Sequence, residues 1–412
     1  MKKLAKNAKK ASKELLRLDS KMKNQIFDEL IHHLEKRKKD VLEENKKDLE
    51  NAFNNDLNSA MVDRLKLTDE RFDQMVAGVE AIKNQPDMVG EFYGEFTNDL
   101  GLKIKRQRVP LGVILMIFES RPNVVIDCAA LALKSSNSII LKGGKEAKHS
   151  NEILGEIIQD SLQKFISPEA VQVLASDSRE QVEELLSLKD DIDVVIPRGG
   201  HGLINYVYET AKMPVIAHYQ GLCHMYLDKE ADVDQAINLA INAKTQRTGV
   251  CNAIETLIIH EDILPKIAQK LVAKFDSKGT QLKVDKGFQG AITQELENAT
   301  DEDWQTEYLD NVLSVKTVKN LDEAIEHIDQ YGSHHSECIV STNEKTCAEF
   351  LKRVDASCVM INASTRFNDG GQLGLGAELG ISTTKLHAYG PMGVEQMTTS
   401  RYVVLGDGQI RE

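Results

Sequence analysis

The sequence predicts an α/β protein built around a doubly wound parallel sheet. Short apolar runs at 113–118, 138–141, 171–174, 193–196 and 214–217 alternate with helix-length stretches, among them 147–165 and 179–188. Apolar runs separated by one helix each are the pattern of a sheet covered on both faces. Glycine-rich turns follow two of these runs, which is where open α/β sheets bind ligands.

Leu18, Met22, Ile26, Leu30 and Leu34 recur every four positions, with Phe27 and Ile31 widening the stripe, so the first fifty residues read as helix. Acids alternate with the lysine clusters there, which makes a solvated helix face. A second helical pattern covers 69–82. Gly90, Tyr93, Gly94 and Gly101, with Leu102 and Ile104 in alternation, predict a hairpin over 88–108. Beyond the first sheet lies a second α/β region. Its predicted helices are 232–243, 263–275, 321–331 and 343–354, and its predicted strands are 255–260, 338–341 and 359–362. Tyr402-Val403-Val404-Leu405 forms either an edge strand or a strand that pairs with another subunit.

With 412 residues, 41% of them hydrophobic, the chain can fill two or three domains. This composition excludes collagen, a disordered tail, a disulfide scaffold and a membrane bundle. A formal net charge of −13 argues against nucleic acid or anionic lipid as the main partner. Six cysteines without a C-x-x-C pair read as free thiols in a reducing compartment. The basic start, Met1 to Lys6, is not followed by a signal-like apolar run, and 109–118 falls short of the roughly 20 residues of a membrane span. A soluble cytoplasmic protein is expected.

The glycine turns are Leu141-Lys142-Gly143-Gly144-Lys145 and Ile196-Pro197-Arg198-Gly199-Gly200-His201-Gly202-Leu203. Each is either a phosphate cradle or an ordinary tight turn, since Asn205 stands where a dinucleotide fingerprint would place its third glycine. The cations Lys142, Lys145 and Arg198 beside them favour an anion. Cys251 differs from the other thiols. It follows the polar stretch Lys244-Thr245-Gln246-Arg247-Thr248-Gly249-Val250, and a neighbouring cation such as Arg247 would favour its thiolate. Cys128, Cys338 and Cys358 lie in apolar runs and read as inert. The adjacent pairs His32-His33 and His334-His335 lack metal-ligand spacing, so no metal is expected.

The chain resembles the aldehyde dehydrogenase superfamily in the order and spacing of four features. They are Pro110-Leu111-Gly112-Val113 through Lys142, the Arg198-Gly-Gly turn, Cys251, and Gly374-x-Gly376-x-Glu378-Leu379-Gly380. Four longer segments resemble one branch of that superfamily, which reduces L-glutamyl 5-phosphate in proline biosynthesis. They are Phe118-Glu-Ser-Arg-Pro-Asn-Val, Val195-Ile-Pro-Arg-Gly-Gly, Gln246-Arg-Thr-Gly-Val-Cys-Asn-Ala and Phe367-Asn-Asp-Gly-Gly-Gln-Leu-Gly-Leu-Gly-Ala-Glu. The resemblance implies NADPH-dependent reduction to L-glutamate 5-semialdehyde through a cysteine thioester. It also implies a cofactor-binding domain (1–88 and 108–225), a catalytic domain (226–390) and a small β oligomerisation element (89–107 and 391–412) of a homo-oligomer. A glutamate 5-kinase is the partner it suggests as supplier of the substrate.

Carried over by position, Cys251 matches the nucleophile. Lys142 matches the lysine at the adenosine ribose, and Glu307 the glutamate near the nicotinamide ribose. Arg198, Gly199 and Gly200 belong to the cofactor turn. Three positions depart from ordinary relatives. Ser120 stands at the asparagine oxyanion donor, His218 at the glutamate that activates water, and Lys145 at a ribose-binding glutamate. The loss at His218 protects a thioester from hydrolysis, and the lysine at 145 suits the 2′-phosphate of NADPH. Arg121, Asn123, Asn362 and Arg366 are candidates for holding substrate anions. Two rivals remain open: a semialdehyde dehydrogenase that oxidises to the acid, and a non-enzymatic nucleotide-fold scaffold.

Overall fold

Helices α1 (Lys2–Leu15), α2 (Ser20–Lys36), α3 (Lys38–Asn54), α4 (Ser59–Leu65) and α5 (Asp69–Lys83) open the chain. The computed structural model describes residues 1–57, 59–174, 178–217 and 220–411. The four-residue apolar stripe lies on α2, which buries Ile26, Phe27, Leu30 and Leu34. Asp19 and Thr68 cap α2 and α5 by accepting the N–H groups of Met22 and Arg71, satisfying donors that a first helical turn leaves open.

The expected hairpin is β1 (Phe92–Thr97) against β2 (Lys103–Pro110). Strands β3 (Val113–Phe118), β4 (Ser138–Lys142), β5 (Val171–Leu174) and β6 (Val194–Arg198) then form a parallel sheet in the order β5-β4-β3-β6. Helices α6 (Asn123–Lys134), α7 (Lys148–Leu162), α8 (Arg179–Ser187) and α9 (His201–Thr210) accompany it. Every residue of β3 is buried, and each large apolar side chain so placed contributes roughly 1.5–3 kcal/mol. One face packs Leu115, Ile117 and Val195 against Ala5 and Ala8 of α1, Leu185 of α8 and Val207 of α9. The alanines let α1 lie close on the strands. The chain winds from β3 to β5 in one direction and then crosses to β6 on the other side of β3. That reversal opens a crevice at the carboxyl ends of the strands.

The second sheet comprises β7 (Cys223–Leu227), β8 (Ile254–His260), β9 (Gln281–Val284), β10 (Glu297–Asn298), β11 (Val312–Val318), β12 (Ser336–Val340) and β13 (Cys358–Ile361), all parallel. Their order is β10-β9-β11-β8-β7-β12-β13. Helices α10 (Val233–Thr245), α11 (Leu264–Asp276) and α12 (Lys286–Gln289) cover one face through Ile237, Leu271 and Phe288. Helices α13 (Leu321–Tyr331) and α14 (Glu344–Arg353) cover the other through Ile325, Ile328 and Phe350.

The C-terminal strand Thr398–Leu405 pairs antiparallel along β2, from Thr398 opposite Pro110 to Leu405 opposite Lys103. Tyr402 to Leu405 therefore form an edge strand of the hairpin's sheet. The chain divides into two compact units, Met1–Ala217 with Gly374–Gly380 and Met392–Glu412, and His218–Leu373 with Ile381–Pro391. Among the described residues no helix is long and apolar enough to cross a membrane.

One expected strand is absent among the described residues. The run at 214–217 makes only a bridge, Val195 to Val215, because Pro214 has no N–H to extend a ladder. The first compact unit ends its long segment at Ala217, and β7 sits inside the second sheet. Strands β7, β9 and β11 lie outside the predicted runs, because polar residues interrupt their apolar character.

Candidate active site

In the first unit the carboxyl ends of β4, β3 and β6 lie side by side. They open into a cleft of about 480 Å³ lined by Phe118, Glu119, Lys142, Gly143, Gly144 and Leu203, among others. Both glycine turns thus reach one crevice. Lys142 Nζ donates to the Gly143 carbonyl at 2.6 Å, and exposed Lys145 begins the short helix Lys145–Ala147.

Two carboxylates occupy the places where an anion was expected. Glu119 Oε2 accepts the Gly200 N–H at 2.8 Å, at the start of α9. It leaves no room at Gly199, where a Cβ would fall 2.5 Å from that oxygen. Glu146 Oε1 accepts both the Ser120 N–H at 2.7 Å and the Ser120 hydroxyl at 2.6 Å. Ser120 itself sits at φ +44, a region uncommon for residues other than glycine. Both of its donors are engaged by Glu146 in this structure.

Arg198 is tied to the main chain. Its Nη1 donates to the carbonyls of Glu378 and Leu379 at 3.2 and 3.1 Å, so the guanidinium pins the Gly374–Gly380 segment. Asn123 Nδ2 donates to Asp127 at 2.8 Å. Burial lifts Asp127 to about 6, opposed by that bond and by the Arg198 charge. Arg121 is half-buried just before α6.

In the second unit, strand polarity places the nucleophile candidate. Cys251 precedes β8, Glu307 precedes β11 and Gly221 precedes β7, so all three belong to the amino ends of the sheet. The usual carboxyl-end rule therefore does not locate Cys251. Cys251 is half-buried. A Cβ on Gly221 would fall 2.1 Å from its carbonyl oxygen, and the Gly221 N–H donates to Glu307 Oε1 at 3.0 Å. Cys223 Sγ donates to the Cys251 carbonyl at 3.0 Å. Burial, with Glu337 next, pushes the Cys223 thiol well up, which keeps it protonated. Burial likewise raises Cys128 and Cys358, and lifts Cys338 to about 12.

The loop after β13 returns to the same end. Thr365 Oγ1 donates to the Asn252 carbonyl at 2.7 Å, and Asn252 Nδ2 to the Asn368 carbonyl at 3.0 Å. This brings Arg366 to the Cys251 loop, where its Nε donates to Gln246 at 2.8 Å. Burial lowers the Arg366 pKa from its ordinary value. Asp369 and Cys251 oppose that shift, and Arg247 reinforces it. Asn362 goes elsewhere. At φ +52 after β13, it exchanges bonds of 3.0 and 2.9 Å with the Ser341 main chain at the carboxyl end of the sheet. His218 lies outside the described residues.

Sequence reasoning missed Glu119, Glu146 and Gly221. Glu146 carried a weak signal, an acid directly beside a phosphate-type motif, and Glu119 stood just after the apolar run 113–118. Gly221 carried none, because its constraint is the Cys251 backbone, thirty residues away in the chain.

The sequence profile of the Aldehyde dehydrogenase family matches residues 1–295 and 296–403. The gamma-glutamyl phosphate reductase of Nitratiruptor sp. is 48% identical over 408 residues, covering 99% of each chain. That of Desulfotalea psychrophila is 47% identical over 407 residues, covering 98% of this chain and 97% of its own. The crystal structure of gamma-glutamyl phosphate reductase from Thermotoga maritima superposes with a TM-score of 0.96 at 40% identity, covering 100% of this chain and 99% of its own. The chain belongs to the aldehyde dehydrogenase family, on the branch of the gamma-glutamyl phosphate reductases.

Proposed function

We propose that the protein reduces L-glutamyl 5-phosphate to L-glutamate 5-semialdehyde with NADPH, releasing phosphate, through a thioester on Cys251. The observation that carries this reading is the half-buried Cys251, packed on Gly221 beside Glu307, in a chain alike over its full length to proteins named for this reaction. The Cys251 thiolate attacks the acyl carbonyl, an S–C bond forms, and the C–O bond to phosphate breaks. Main-chain N–H groups around Cys251 and the Ser120 region hold the oxyanion. NADPH, when bound, supplies the hydride that takes the thioester to the aldehyde level. Arg366 and Arg121 hold substrate anions.

The cofactor is assigned to the cleft of the first unit. Glycines without side-chain bulk, the start of α9 and the cations Lys142 and Lys145 suit an anionic dinucleotide there. Lys142 meets the adenosine ribose, Lys145 the 2′-phosphate, and Glu307 the nicotinamide ribose. Residues 89–107 and 391–412 are proposed as the oligomerisation element. Their sheet exposes Phe92, Phe96, Tyr402 and Val404, an apolar surface of the kind a second copy would cover. A glutamate 5-kinase is the proposed supplier of substrate, and the cytoplasm the proposed compartment.

The test is NADPH formation from glutamate semialdehyde and phosphate, by the wild type and by Cys251→Ala. Activity that requires phosphate and disappears in the variant is expected. Equal activity without phosphate would sink the substrate assignment, and an active Cys251→Ala would sink the thioester.

A further inference from the structure

We infer that the buried Lys244–Glu255 ion pair is a positioning device that holds the Cys251 loop and the Glu307 loop in fixed register without touching substrate. The inference rests on the reading of Cys251 as nucleophile. Lys244 lies in the last turn of α10 and Glu255 is the second residue of β8. Their side chains meet at 2.6 Å, with 0% and 2% of their surface exposed. The pair therefore closes the loop 245–254 at its base, and Cys251 lies in that loop.

The second oxygen of Glu255 reaches the other loop. Glu255 Oε1 accepts the Leu309 N–H at 3.2 Å, and Lys244 Nζ lies 5.9 Å from the centre of the Tyr308 ring. Leu309 adopts φ +51, and its carbonyl would meet a Cβ on Gly249 at 3.4 Å. Glu307 in turn accepts the Gly221 N–H at 3.0 Å, and Gly221 packs on the Cys251 main chain. The contacts form a closed ring: Cys251 loop, Lys244–Glu255, Leu309, Glu307, Gly221 and back to Cys251. Burial drives Glu255 up to about 7, with the Lys244 charge and hydrogen bond opposing. Such a pair is a poor source of stability, because apolar residues of similar volume often serve as well or better. What apolar residues cannot supply is a directed link among three chain segments.

That contrast defines the experiment. In Lys244→Met/Glu255→Leu the volume is kept and both charges are removed together, so melting temperature should change little. The ring loses its central link. We expect kcat to fall about 10- to 100-fold, as for a displacement of about 1 Å at a reacting atom, with KM values within about threefold. Iodoacetamide labelling of Cys251 in the native protein should slow by about fivefold or more. Glu255→Gln, which keeps the acceptor for Leu309, should lower kcat about tenfold and decides the matter if the double variant does not fold. A folded variant of either kind with wild-type kcat and labelling would overturn the inference. A wild type without reductase activity would instead overturn the functional reading, and the labelling result would still decide this one.

Discussion

The main chains of Gly221 and Cys251 are in direct contact: a Cβ at position 221 would lie 2.1 Å from the Cys251 carbonyl oxygen and 2.5 Å from its Cα. The obstacle is backbone, so no side-chain rotation relieves it. Gly221→Ala must displace the nucleophile or its own strand. We expect kcat to fall on the order of 10²-fold, with about 1–3 kcal/mol of lost stability from overpacking. Cofactor affinity should stay within about twofold. Steady-state kinetics with a cofactor titration check this, and wild-type kcat in the variant would refute it.

Glu119 holds the Gly200 N–H at the start of α9, where the cofactor's phosphates are proposed to bind. An incoming pyrophosphate has to displace a carboxylate of its own sign. Glu119→Gln removes that repulsion, so NADPH should bind about 3- to 10-fold tighter, within the roughly 0.3–2 kcal/mol typical of a charge at a helix end. Fluorescence titration of NADPH measures it. Weaker binding would show that Glu119 holds the cofactor instead of competing with it.

Lys145 is exposed beside the glycine turn after β4. Lys145→Glu should shift preference from NADPH toward NADH by about tenfold or more, because a carboxylate repels a 2′-phosphate and accepts from a 2′-hydroxyl. The ratio of kcat/KM for the two cofactors reports the shift. An unchanged ratio would place the 2′-phosphate elsewhere.

His224 and His327 form a buried cluster with Trp304, their imidazole centres 5.5 Å apart. Burial drives His224 down to about 3, and burial together with His224 and Lys316 drives His327 down to about 2. Glu337, 3.1 Å from His224, is pushed well up by burial. The His224–Glu337 pair holds one proton in the native state whichever partner carries it. Between pH 4.5 and 6.5, the ordinary values of these groups, the unfolded pair also holds one, so the pair contributes no slope. His327 is protonated there only in the unfolded state, so stability falls with falling pH by about 1.4 kcal/mol per unit. Below pH 4.5 the unfolded pair holds two protons and the slope from the cluster doubles. His327→Phe should remove the contribution of His327 across both ranges. It also removes an Nε2 that is buried without a partner among the described residues, which should stabilise the protein at pH 7 by about 1 kcal/mol. Urea unfolding at a series of pH values measures both effects. An unaltered slope in His327→Phe would refute the assignment.

Legibility in the sequence followed burial. Strand β3 was readable because all its residues are buried, so its apolar run is continuous. Strand β7 is equally buried, yet it contains His224 and Tyr226. Their polar atoms are satisfied by Glu337, far along the chain, and by Asp228. Without the partner in view, such a strand does not look like core. The site divides in the same way. Cys251 stood out by its local setting, and Arg366 does reach its loop. Ser120 and Asn362 carried plausible chemistry but are tied to Glu146 and Ser341, pairings that local sequence does not announce.

By itself the sequence determined the parallel α/β architecture, the two glycine turns after β4 and β6, and the family through its long motifs. Those are properties of periodicity and local order, which run along the chain. Tertiary structure alone decided that Cys251 lies at the amino ends of its sheet, and that Arg198 clamps carbonyls 180 and 181 residues away. It also placed carboxylates at both glycine turns. A hydrogen bond is a statement about a partner, and these partners are neighbours only after the chain has folded.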